Sequence, residues 1–163
     1  MTQKSTGIYM RRLALSLLGV VLFAGNAEAA DLMQKLEAQR EIVKFPPQMQ
    51  QHFLSGMRDH LLAVSQIQRA LAEGRFDKAG EIAGSRLGMN APSSMACKPG
   101  MEHMNEMARL MPDGMRKAGR RMHHAADQFA HDVQQHDLRA AVASLASVTA
   151  ACVACHASYR LDR

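Results

Sequence analysis

The chain has 163 residues and a formal charge of +5, with 4% aromatic residues, no tryptophan and thirteen methionines. That length suits one ordinary domain and excludes a multidomain enzyme, while the charge is too mild and too dispersed to imply nucleic acid. Helix formers dominate and long alternating runs of Val, Ile, Thr and Tyr are missing, so the expected class is all-α, with methionine as core filler in place of aromatics.

Residues 1–29 read as a cleaved export signal, followed by a single domain over 30–163. Lys4, Arg11 and Arg12 precede an apolar run from Leu13 to Phe23, and the small Ala27 and Ala29 fit an A-x-A cleavage site. The run is too short and wrongly flanked for a stable membrane span. Cleavage would leave 134 of the 163 residues and a charge of +3, because the signal removes three bases and one acid, Glu28.

Asp31 to Lys44 predicts a short helix, with Leu32, Met33, Leu36 and Ile42 on one side. Phe45-Pro46-Pro47 stops it, since a residue before proline is pushed out of the helical region. The second proline suits the first turn of a new helix, which runs to about Glu73 and stops at Gly74. Its inward stripe reads Phe53, Met57, Leu61, Val64, Ile67 or Gln68, and Leu71. A shorter helix is expected from Asp77, as N-cap, to about Leu87, with Gly88 as its stop.

Asn90 to Gly100 reads as a connector, and Met101 to Leu110 as a further helical piece. From Asp113 to Gln135 the inner face would be Met115, Ala118, Met122, Ala125 or Ala126, Phe129 and Val133. His136-Asp137 makes a tight link. The last helix, capped by Asp137, runs to about Tyr159 and carries Leu138, Val142, Leu145, Val148 or Thr149, Cys152, Cys155 or His156, and Tyr159 inward. Four main amphipathic helices with short links predict an antiparallel four-helix bundle with a short extra N-terminal helix.

Chemistry concentrates in Cys152-Val153-Ala154-Cys155-His156, the C-x-x-C-H pattern of covalent c-type haem attachment. Two thiols on one helical turn can add to the two vinyl groups of a porphyrin edge, and the adjacent imidazole reaches the iron from the same side. In bacteria this attachment takes place outside the cytoplasm, which agrees with an export signal and a periplasmic location. A thioredoxin-like pair would begin a helix beside a parallel sheet, and no sheet is predicted. A zinc site lacks ligands, with only Cys97 left over. A disulfide inside a helical turn is geometrically awkward.

The run Cys152-Val153-Ala154-Cys155-His156-Ala157-Ser158-Tyr159-Arg160, set in the last helix, resembles the ending of class II c-type cytochromes, the cytochrome c′ family. The four-helix pattern extends the resemblance more loosely over about Pro46 to Arg160. It implies one covalent haem c in one end of the bundle, His156 as axial iron ligand, and Arg160 close to that imidazole. An alternative for Arg160 is an ordinary cation at a helix C-terminus. Many members of the family pair as homodimers through their first two helices.

The sixth iron position divides the family, and Met57 is the candidate here, mid-helix between Phe53 and Leu61. Family members usually carry a basic residue where Phe53 stands, and their link after the first helix is longer than Gly74-Arg75-Phe76-Asp77. A register slip would offer Met49 or His60, although His60 and His52 read as surface histidines, and Met57 itself has a packing alternative. With Met57 on iron the protein is an electron carrier for a periplasmic redox partner. With that position open it is a five-coordinate protein for small gases such as nitric oxide or carbon monoxide. Neither is an enzyme, and no nucleophile–base set is present.

Three further groups stand out. Met89, Met95, Cys97, Met101, His103, Met104, Met107, Met111 and Met115 are soft donors for cuprous copper, yet the spacing from Met104 to Met115 is a packing stripe. Cys97 is an unpaired thiol, either buried or a route to an intermolecular disulfide. Arg116, Lys117, Arg120 and Arg121 form either a steering patch for an acidic partner or an ordinary solvated face; His123, His124 and His131 share that helix with no assigned role.

Overall fold

The computed structural model describes residues 34–35, 38–99 and 105–162. The chain divides into two compact units, Met1–Arg40 and Glu41–Arg163. In the first, residues 34, 35 and 38 are helical. The expected signal and its cleavage site lie outside the described residues, as do Met101, His103 and Met104.

The order is β1 (Glu41–Val43), α1 (Pro47–Ala72), α2 (Phe76–Ile82) running into a π-helical turn (Ala83–Leu87), a 3-10 turn (Pro92–Cys97), α3 (Glu106–Leu110), α4 (Asp113–Asp132) with a 3-10 end (Val133–Gln135), α5 (Leu138–Ser158) and β2 (Tyr159–Leu161). The described residues are mostly helical, with one small parallel strand pair.

That pair corrects the end of the expected N-terminal helix, predicted to reach Lys44. Glu41–Val43 is extended and pairs in parallel with Tyr159–Leu161, Ile42 opposite Arg160. Ile42 and Val43 are β-branched, and the prolines hold the chain extended after them. Val43 and Phe45 are buried, the Val43 carbonyl accepts from Asp162 N at 3.2 Å, and Gln50 Nε2 donates to the Asp162 carbonyl at 3.0 Å. The chain just beyond His156 is therefore fastened to the start of the domain. For the same reason α5 stops at Ser158, not Tyr159.

Pro47 opens α1, and Gly74 closes it at φ +70°. Gly74 N donates to the Leu71 carbonyl and Arg75 N to the Ala70 carbonyl at 3.0 and 2.8 Å, the paired bonds of a Schellman ending. The buried face of α1 is His60, Ala63, Ile67, Ala70 and Leu71, so the predicted stripe is turned by one residue in its middle. Leu61, expected inward, is 72% exposed. Asp77 is not the N-cap of α2 but sits in its first turn.

α4 and α5 pack as a helical hairpin. His136 turns the chain in the left-handed region, and Asp137 Oδ1 accepts from Ala140 N at 3.0 Å, the predicted cap. Met115, Ala118, Met122, Ala126, Phe129 and Val133 are buried as expected. On α5 only Ala141, Leu145 and Val148 are buried, because α4 covers a narrow strip. Leu138 and Val142, expected inward, are about half exposed. α5 is long and apolar enough to cross a membrane by length and composition.

The core has two parts. One joins Ile67, Leu71, Leu87, Phe129, Val133, Leu145 and Val148. The other gathers Val43, Phe45, Cys97, Met111 and Met115, with Cys155 and Tyr159 packed against them. Gly114 is needed there, since a Cβ would overlap the Tyr159 hydroxyl.

Candidate functional site

A cavity of about 330 Å³ opens between α1 and α5. Phe53, Gly56, Met57, His60, Leu61 and Val64 of α1 line one wall; Val148, Thr149, Ala151, Cys152, Val153, Cys155 and His156 of α5 line another. Met115, Ala118, Gly119, Met122 and His123 of α4 close it, with Leu87, Ser93, Ala96, Cys97, Met107 and Met111 between and His52 exposed at the rim. Among the described residues no Asp, Glu, Lys or Arg lines it. A charged side chain in such a lining would carry a heavy desolvation cost.

Helical periodicity explains the α5 wall. Residues 152, 155 and 156 fall on one turn, so both sulfurs and the imidazole reach the same opening. Cys152 and Cys155 are half-buried and unbridged. Burial raises both thiol pKa values, and for Cys155 the neighbouring Cys152 adds to the rise, so both stay protonated at neutral pH. His156 lies at the exposed rim. A pair near a helix C-terminus, with only two three-residue strands described, lacks the thioredoxin setting. Among the described residues no three His, Cys, Asp or Glu side chains are grouped to hold a metal ion.

Met57 projects into the same cavity, half-buried. His60, read from sequence as a surface residue, is instead 8% exposed and lines it. Its Nε2 is 2.8 Å from Ser93 Oγ, and its ring meets that of His123 edge to face, centroids 5.8 Å apart at 86°. Burial, then the charge of His123, drives the His60 pKa down to about 4; His156 acts weakly in the same sense. His123, given no role from sequence, is 2% exposed. Its Nδ1–H donates to the Leu87 carbonyl at 2.6 Å, and burial lowers its pKa. The signal was present: His123 stands four residues after Gly119 and three before Ala126, within the inward stripe.

The π turn sets up that bond. Its last backbone bond runs from Gly88 N to the Ala83 carbonyl at 2.9 Å, leaving the Leu87 carbonyl for a side-chain donor. Arg86, on the same turn, reaches Asp59 and Gln66 of α1 and ties it beside His60.

Arg160 does not line the cavity. It sits in β2 opposite Ile42, with Nε buried and unpartnered, because the chain leaves the helix before reaching it. Cys97 is buried, resolving its two readings, with its thiol pushed up to about 11 chiefly by burial. Gly119 lets it approach, since a Cβ there would overlap Sγ. Met111 and Met115 are core residues, whereas Met49, Met95 and Met107 line a second opening with His52. Arg116 donates to the Ala108 and Met111 carbonyls at 2.8 and 2.7 Å, and Arg120 to the Cys97 carbonyl at 3.0 Å. Those two guanidiniums fasten loops, while Lys117 and Arg121 are exposed, as are His124 and His131.

The residues present suit a covalently held haem: an apolar slot, paired thiols with an adjoining imidazole on one wall, and a thioether on the wall of the other helix. No protein-family model, curated protein or solved structure matches the chain.

Proposed function

We propose that this chain is an exported electron-transfer protein of the cytochrome c′ kind, with one haem c bound through Cys152 and Cys155 and its iron held by His156. The observation that carries the reading is the uncharged cavity between α1 and α5, with both thiols and His156 on one wall and Met57 on the other. In this reading α1, α2 with its π turn, α4 and α5 are the four helices of an antiparallel bundle, and α1 and α5 are held apart where the cofactor belongs.

Haem, when bound, supplies one-electron chemistry at iron. The rest falls to the chain. Cys152 and Cys155 provide attachment from one helical turn, and β2 pins the segment that follows His156. Met57 offers a soft sixth ligand. The apolar walls exclude water and set the potential. Val153, between the two thiols, is exposed, which supports an attachment edge near the surface, where brief docking to a periplasmic redox partner would suffice.

A second reading, a five-coordinate protein for nitric oxide or carbon monoxide, draws support from the incomplete burial of Met57 and the apolar Phe53 and Leu61 around it. Absorption spectra of the purified holoprotein separate the two. A low-spin oxidised form with a sulfur–iron band, unaltered by carbon monoxide on reduction, supports the carrier. A high-spin form that takes up carbon monoxide supports the gas binder and removes Met57 as a ligand.

A further inference from the structure

The cavity is mostly apolar, and His60 and His123 stand together in its lining. Each imidazole is more than nine-tenths buried, and each spends one nitrogen on the protein: His60 Nε2 on Ser93 Oγ, His123 Nδ1 on the Leu87 carbonyl. The remaining nitrogens, His60 Nδ1 and His123 Nε2, have no hydrogen-bonding partner among the described residues. Neither is among the buried atoms left without a partner, so both are reachable from the cavity that the two rings line, where a ligand can use them.

The tautomer follows from the partners. A carbonyl only accepts, so His123 Nδ1 carries the proton and Nε2 presents a lone pair. Burial keeps both rings neutral at pH 7. His60 faces a hydroxyl, which either donates or accepts, so its Nδ1 adapts to what it meets. The cavity wall thus offers one fixed acceptor beside one adjustable nitrogen.

We propose that His60 and His123 form a recognition seat for a small protic ligand, one bearing an N–H or O–H, that reaches the iron when Met57 is off it. This rests on the haem reading above. An aprotic ligand of the same size would leave the His123 lone pair unmet, and a missing partner for a buried polar group is what discriminates between near-identical ligands.

The test uses ferric holoprotein carrying Met57→Ala, in which the sixth position is open under either functional reading. Imidazole and 1-methylimidazole are titrated optically; both ligate iron, but only the first keeps an N–H on its far side. His123→Asn retains an N–H donor toward the Leu87 carbonyl and leaves no acceptor at the position of Nε2. It is expected to weaken imidazole about tenfold, the worth of one buried hydrogen bond, and to leave 1-methylimidazole unchanged. Should that variant not fold, His60→Gln, which keeps an amide toward Ser93, is expected to weaken imidazole selectively by severalfold. Equal losses for both ligands, no change, or no binding of either would overturn the seat. A preparation without covalent haem would overturn the underlying reading instead, and a haemochrome spectrum taken beforehand reports that separately.

Discussion

Acidification from pH 7 to pH 4 is expected to cost the fold about 3 kcal/mol through His60 alone. Burial, followed by the charge of His123, holds the His60 pKa at about 4 against an ordinary 6.5. Between those values the unfolded chain binds a proton that the folded chain refuses, so stability falls as pH drops through the window. A difference of about 2.5 units at 1.36 kcal/mol each gives the magnitude, a large share of a typical domain's stability. His123 adds in the same direction. Asp113 and Asp132, whose pKa values lie below the ordinary 3.8, lose their contribution only beneath this range. The assay is urea unfolding at several pH values for the parent and for His60→Gln, which keeps an amide toward Ser93 and does not titrate. The parent should lose about 3 kcal/mol more than the variant across the range. Parallel curves, or a parent more stable at pH 5 than at pH 7, would refute the burial argument.

Three other outcomes follow from the same geometry. Cys152→Ser and Cys155→Ser should each reduce haem retained on denaturing gels, and retention equal to the parent's in both would sink covalent attachment through these thiols. Met57→Ala should turn an oxidised low-spin spectrum high-spin and erase the sulfur–iron band; an unchanged spectrum assigns the sixth position to another group. Phe129→Ala empties a fully buried site between α4 and its neighbours, and a loss of about 3–5 kcal/mol is expected in a denaturant melt. A loss below about 1 kcal/mol would show that the core collapses around the gap.

The helices were legible because their punctuation is strong: Pro46-Pro47 and Gly74 bound α1, and Asp137 caps α5 as its side chain requires. The three strand residues at Glu41–Val43 were not, since a short apolar segment shows its extended state only through its partner, here Tyr159–Leu161, more than a hundred residues away. The stripe on α1 was read one residue off because the wall of a cavity and the wall of a core are equally apolar in sequence. Cys152, Cys155, His156 and Met57 line one cavity, whereas Arg160, carried out of the helix by β2, is not among its lining residues. His60 and His123 were missed or misplaced because a buried imidazole needs a distant carbonyl or hydroxyl. Leu87 and Ser93 come within reach only once the π turn and the 3-10 turn are folded.

The central claim is tested most directly by the intact mass of the exported protein purified from cells able to mature c-type cytochromes. A coloured product heavier than the processed chain by a single haem, with fragments placing the added mass on Cys152 and Cys155, is the predicted result. A colourless product at the mass of the bare polypeptide would contradict it.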